Sequence, residues 1–212
     1  MADPLIITAA TLRQRFAGTA LPVDPTDVIT LPGSGRWPVN MREQLQSTLQ
    51  PAGVLIPVID RANTGLNLLL TQRSAELKNH AGQISFPGGR MELDDADIGV
   101  TALRETHEEV GIRPDQVTVI GYLEPMPTIT GYAVTPTVGL VDGTVELDID
   151  RTEVEFTFEV PLSFLLDDGN RRLVERDLYG QKVPMIEFQF EGHRIWGATA
   201  FIIIEFIKII IK

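Results

Sequence analysis

GGRMELDDADIGVTALRETHEEVGI, residues 88–112, carries the strongest helix signal in the chain. Its spacing predicts a helix over residues 95–110. Gly111 then stops it, since glycine takes a left-handed cap without steric cost. At about 100° per residue from Ala102, Thr106, Val110 and Leu103 fall at roughly 40°, 80° and 100°, a face for the core. Glu108, Glu105 and Glu109 fall at roughly 240°, 300° and 340°, so three carboxylates share a separate face. Like charges one turn apart repel, and three helical glutamates are ordinarily no more than solvated surface. A hard divalent cation would remove the repulsion, because Mg²⁺ and Mn²⁺ take oxygen ligands. The flanks favour that reading. Gly88 and Gly89 form a turn just before the helix, and Arg104 is placed to pair with and orient Glu105.

Outward from this helix the chain reads as mostly strand. VLIPVID (54–60) and LNLLLTQR (66–73) make a hairpin turning at Asn63-Thr64-Gly65. Residues 74–93 read as loop and short strand, ending at Pro87-Gly88-Gly89. Strands are predicted at 117–124, 134–141 and 155–160, with a short helix over 161–167. A late hairpin pairs 185–190 with 193–196 through Glu191-Gly192. At the start, 1–18 is a short helix capped by Thr8 or Thr11, and 19–40 is a Pro- and Gly-rich arm. MREQLQSTLQ (41–50) is turn or short helix. The expected organisation is an arm over 1–40 and one mixed α/β domain over 41–212. The tail FIIIEFIKIIIK (201–212) has seven isoleucines, which favour strand. Glu205, Lys208 and Lys212, however, make a single polar stripe on a helix, so a docked terminal helix is expected. The run is too short and too interrupted by charge to span a bilayer.

Composition narrows the function. The net charge of −11, from 29 acidic against 18 basic residues, argues against a nucleic-acid partner, which needs a basic face. It also makes any anionic substrate depend on a cation. The chain has no cysteine, so disulfides, thiolate catalysis and zinc–thiolate sites are excluded. MADPLIITAATLRQRFAG lacks the basic start and apolar core of a signal peptide. A cytoplasmic protein with no membrane partner is expected.

The 88–112 segment resembles the Nudix box through Gly89, Arg104, Glu105, Glu108, Glu109, Gly111 and Ile112. It departs from the general pattern in three places. The gap from Gly89 to Arg104 is one residue longer, Asp95 stands where the first glutamate would be, and Thr106 replaces an apolar residue. The insertion and the aspartate resemble the coenzyme A pyrophosphatase branch. Immediately upstream, LLTQRSAELKNHAGQISFPGG (69–89) resembles the extra motif of that branch through Leu69, Leu70, Thr71, Arg73, Ser74, Gly82, Phe86, Pro87, Gly88 and Gly89. Lys78 stands there for an arginine, which keeps the charge and loses the bidentate fork. LEPMPTITGYAVTP (123–136) and IWGATA (195–200) are weaker echoes.

The resemblance implies a Nudix fold, a mixed sheet sandwiched between helices with a loop–helix–loop metal site. It implies hydrolysis of the diphosphate of coenzyme A or a derivative to 3',5'-ADP and 4'-phosphopantetheine. Mg²⁺ or Mn²⁺ would sit on Glu105, Glu108 and Glu109, with Arg104 orienting them. Arg73, Lys78, Gly88 and Gly89 would meet the substrate. Alternatives are a Nudix hydrolase of ADP-ribose or another nucleoside diphosphate derivative, and a Nudix-fold binding module without turnover. A homodimer is compatible with the resemblance. His80 and His107 read as surface, His193 as structural, and Phe86 and Trp196 as core. Nothing selects Glu124 or Asp142 as a further carboxylate.

Overall fold

The structure is a computed structural model, described here over residues 7–27, 49–77, 79–178 and 181–212. Lys78, the 41–48 segment and the expected boundary at 40/41 lie outside the described residues.

The 54–73 hairpin forms as the sequence predicts. Strand β1 (Gln50–Arg61) turns at Gly65, φ 68°, into antiparallel β2 (Gly65–Arg73). The short β3 (Ile84–Ser85) pairs with β2, and β4 (Gly88–Arg90) pairs with β1 opposite Ala52–Val54. Helix α2 (Ile98–Val110) follows, after α1 (Ala9–Phe16) near the start of the chain. Next come β5 (Val117–Tyr122), β6 (Met126–Pro127), β7 (Tyr132–Asp142) and β8 (Val154–Pro161). Strand β7 runs parallel to β1 from Gln50↔Tyr132 to Asp60↔Asp142. It is buried along almost its whole length, as a strand covered on both faces must be. Strand β8 pairs with β2, and β5 closes the other side against β7.

Two apolar clusters lie on the sheet's two faces. Ile59, Leu69, Val110, Ile112, Val141 and Val145 form the smaller one, against α2. The approach of α2 is close, because a Cβ on Gly53 would sit 2.4 Å from the Ile98 carbonyl oxygen. The larger cluster holds α1 and the terminal helix α4 (Gly197–Ile210), whose Phe206 stacks on Phe16 at 5.6 Å between ring centroids. Thr199 of α4 donates to the Ile84 carbonyl at 2.8 Å, tying the helix to β3. The expected mixed sheet between helices is therefore present.

Local chemistry adjusts the boundaries. Helix α1 is capped by Thr8, which accepts from Thr11 N at 3.2 Å. Helix α2 begins at Ile98, three residues later than the periodicity suggests, because Asp97 caps it by accepting from Val100 N at 2.9 Å. It ends as expected on Gly111, φ 77°. The terminal helix starts at Gly197 rather than residue 201. After the short α3 (Leu162–Leu166) comes a strand that the sequence reading missed, β9 (Arg171–Leu178). Its RRLVERDL carries five charged residues in eight, which hides any alternation. It joins β10 (Gln181–Phe190) and β11 (His193–Ile195) in a second, three-stranded sheet, with Arg176 against Glu187 at 3.1 Å across the ladder. Among the described residues, no helix is long and apolar enough to cross a membrane.

Candidate functional site

The three box glutamates sit on one side of α2 but at three depths. Their side chains are 57% exposed at Glu108, 16% at Glu105 and 2% at Glu109. The gradient follows from the core face, since Val110 and Thr106 are fully buried and Glu109 lies nearest them on the helical wheel. The Thr106 hydroxyl donates to the Ala102 carbonyl at 2.6 Å, which satisfies it where the family pattern has an apolar side chain.

Arg104 organises the outer two carboxylates. Its Nη1 donates to Glu105 Oε1 at 2.9 Å and to Glu108 Oε2 at 3.0 Å. The guanidinium is fixed by Asp95, which takes Nε at 3.0 Å and Nη2 at 2.9 Å, and by the Arg90 carbonyl at 3.2 Å. Asp95 also accepts from Thr101 Oγ1 and from Glu92 N, each at 2.9 Å. The Arg104 hydrogen bonds outweigh burial and hold the Asp95 carboxyl at about 2. Asp95 therefore clamps the arginine that orients the cluster.

Glu109 is held differently. Arg73 Nη1 reaches its Oε1 at 3.1 Å, and Gly88 N donates to its Oε2 at 3.2 Å. Burial pushes the Glu109 carboxyl up to about 7, against the opposing pull of Arg73 and the Gly88 N–H. Glu105 is also raised by burial, which prevails over its bond to Arg104. The charges of Glu105 and Glu153 add to the shift at Glu109, and those of Glu108 and Glu153 to the shift at Glu105. Glu153 is thus a third carboxylate close to the buried pair, and the sequence reading missed it. Its segment is placed by a long-range bond, Ser74 N to the Glu153 carbonyl at 2.8 Å, which leaves no local signature.

The two glycines before α2 are filled against by the chain itself. A Cβ on Gly88 would lie 2.3 Å from the Gly53 carbonyl oxygen and 2.6 Å from Val54 Cα. On Gly89 it would lie 2.5 Å from Glu105 Cδ. Gly88 lets β4 pack on β1, and Gly89 leaves room for the Glu105 carboxylate.

The structure brings Arg73, Gly88, Gly89, Arg104, Glu105 and Glu109 together, with Glu108 at the rim through Arg104. Among the described residues no three acidic or histidine side chains converge ready for a cation. Arg104 engages Glu105 and Glu108, and Arg73 engages Glu109. The donor set still suits a hard divalent cation in kind, being all carboxylate oxygen and largely buried in two of three members.

Other candidates fall away. His107 is exposed, and His80 is a loop residue, φ 58°, bonded to Gln83 at 2.9 Å. His193 stacks on Phe158 at 4.5 Å and so joins the small sheet to β8. Phe86 is core, but Trp196 is 37% exposed beneath the Arg194 guanidinium, 5.0 Å from its ring centroid, which corrects its reading as core. Asp142 caps its own turn by accepting from Thr144 N at 2.8 Å.

Residues 49–176 match the NUDIX domain family. The Nudix hydrolase NudL of Citrobacter koseri is 44% identical over 154 residues, spanning 73% of this chain and 79% of that protein. The NudL of Shigella flexneri serotype 5b is 40% identical over 174 residues, spanning 82% and 85%. Among solved structures, a MutT/nudix family protein from Enterococcus faecalis is 16% identical with a TM-score of 0.49, covering 77% of this chain and 63% of that one.

Proposed function

The chain belongs to the NUDIX domain family and is a hydrolase of diphosphate bonds, and from that premise we propose that its substrate is coenzyme A or a close derivative. The observation that carries this reading is the meeting of two motifs in one site. Arg73 and Gly88, from the stretch that resembles the coenzyme A pyrophosphatase motif, both contact Glu109 of the box.

Water would cleave the P–O–P linkage, one phosphorus gaining the water oxygen and the other keeping the bridging oxygen, to give 3',5'-ADP and 4'-phosphopantetheine. Glu105, Glu108 and Glu109 would hold Mg²⁺ or Mn²⁺, which would supply positive charge for the diphosphate. The chain's own residues hold and aim that set. Asp95 fixes Arg104, and Arg104 turns Glu105 and Glu108 toward one another. The Gly88 N–H orients the buried Glu109, and the missing side chain at Gly89 keeps Glu105 in place. Arg73 and Lys78 provide positive charge for the substrate phosphates in an otherwise acidic protein.

The test compares kcat/KM for coenzyme A, dephospho-coenzyme A, ADP-ribose and dinucleoside polyphosphates with Mg²⁺ and with excess chelator. Coenzyme A should lead, and chelation should abolish turnover. A preference for ADP-ribose would overturn the substrate, and binding of nucleotide without turnover of any would overturn the catalytic reading.

A further inference from the structure

Arg73 is the last residue of β2, and its backbone is pinned. Its N–H donates to the Gln83 carbonyl at 2.9 Å, and its own carbonyl accepts from Gly82 N at 3.0 Å. The next residue, Ser74, is tied to Glu153. The β2–β8 register shifts between Gln72 and Arg73, so the residue stands where the regular pleat breaks. What remains free to move is the side chain, 22% exposed at a site whose carboxylate is 2% exposed.

The two arginines of the site differ in how they are held. Arg104 is gripped by both oxygens of Asp95 and by the Arg90 carbonyl, so it stays whatever happens to Glu105 and Glu108. The hydrogen bond to Glu109 Oε1 is the bond drawn by the Arg73 guanidinium, at the end of a long flexible stem. Glu109 thus has one fixed donor, the Gly88 N–H on Oε2, and one movable donor on Oε1.

We propose that Arg73 is a displaceable counter-ion, competing with the divalent cation for Oε1 of Glu109 and turning outward when that cation binds. The proposal rests on the metal reading given above. Its physical basis is that a buried carboxylate needs a neutralising partner. A guanidinium and a dication on the same oxygen repel each other and draw on the same lone pairs, so each weakens the other's hold. Arg73 then sets the threshold for metal binding. Its departure from Glu109 leaves a phosphate-binding fork unpaired next to the site only after the metal has arrived, which orders metal before substrate.

The experiment is calorimetric titration of the whole chain with Mn²⁺ alone, without substrate. Losing a charge-assisted competitor should tighten Mn²⁺ binding by Arg73→Gln about tenfold. Glu109→Gln should bind it at least tenfold more weakly. Equal or weaker binding by Arg73→Gln, with Glu109→Gln weakened, would overturn the competition and make Arg73 a positioning residue. No binding by the folded wild-type chain would instead sink the metal reading itself, and the competition with it. Should Arg73→Gln fail to fold, ¹⁵N-arginine spectra of the unmutated protein decide, with Arg73→Lys giving the assignment. Adding Mg²⁺ should shift the Arg73 guanidinium signal and speed its bond rotation while the Arg104 signal stays restricted. An Arg73 signal indifferent to Mg²⁺ at saturation would overturn the proposal.

Discussion

Gly89→Ala separates the position of a carboxylate from the stability of the fold. The new methyl would sit 2.5 Å from Glu105 Cδ and 2.5 Å from its Oε2. Carbon contacts are comfortable at about 3.5–4.0 Å, so the carboxylate must retreat by roughly 1 Å. It can do so, being the far end of a flexible side chain, and Gly89 itself has no left-handed backbone that alanine would strain. The retreat loosens the 2.9 Å bond from Arg104, which keeps its two bonds to Asp95. That bond is worth at most about 1.5–3 kcal/mol, and repositioning recovers part of it. A 1 Å misplacement at a reacting centre costs about a hundredfold in rate, or about 2.7 kcal/mol of barrier. The expected result is kcat down about a hundredfold with a folding stability lowered by less than about 2 kcal/mol. Initial rates at saturating Mg²⁺ and urea unfolding on the same preparation measure both. A rate within threefold of wild type would refute the claim that Gly89 exists to place Glu105. Gly53→Ala is the contrasting case, because its methyl meets backbone, the Ile98 carbonyl oxygen at 2.4 Å and Ala102 N at 3.0 Å. It should cost about 1–3 kcal/mol or more through overpacking.

Three further outcomes follow from the same geometry. Glu109→Gln should lower turnover by orders of magnitude while circular dichroism and the melting temperature show an intact fold, since an amide replaces a carboxyl that burial already pushes up to about 7. Asp95 has a folded pKa of about 2 against an ordinary 3.8, so its contribution is complete above pH 4 and is lost as pH falls from about 4 to 2. The amount, trimmed for partial solvent access, is roughly 1–2 kcal/mol, and urea midpoints of wild type and Asp95→Asn should converge across that window. Deleting 201–212 removes the buried Ile202, Ile203, Phe206, Ile207 and Ile210. At about 1.5–3 kcal/mol each the loss matches a whole domain's stability of about 5–15 kcal/mol, so the truncated chain should be insoluble. A soluble product with an unchanged melting temperature would contradict the docked role of the helix.

What was legible in the sequence is what repeats locally. The 3.6-residue period and Gly111 located α2, and the apolar runs around Asn63-Thr64-Gly65 located the first hairpin. The carboxylate face could be read from the angles alone, but its grading from Glu109 inward to Glu108 outward could not, because depth depends on what the helix docks against. Partners across long separations were invisible. Arg73 showed a charge without showing Glu109, 36 positions away, and Glu153 reaches the site through a bond to Ser74. Strand β9 escaped because five of its own eight residues are charged, while the apolar residues that pair with it, Val183, Met185 and Ile186, lie on β10.

The parallel pairing of β1 with β7 joins residues 82 positions apart, Gln50 to Tyr132, and every box residue lies inside that span. Closing so long a loop is entropically unfavourable before the ladder is complete, and contacts of this separation slow folding. The β1–β2 hairpin and α2 are local and can fluctuate into shape early. Glu109 becomes buried only when α2 docks on Gly53 of β1, within the layer that β7 completes. In refolding, recovery of turnover should therefore lag behind recovery of helical signal, the acidic cluster staying hydrated until its central strands have met.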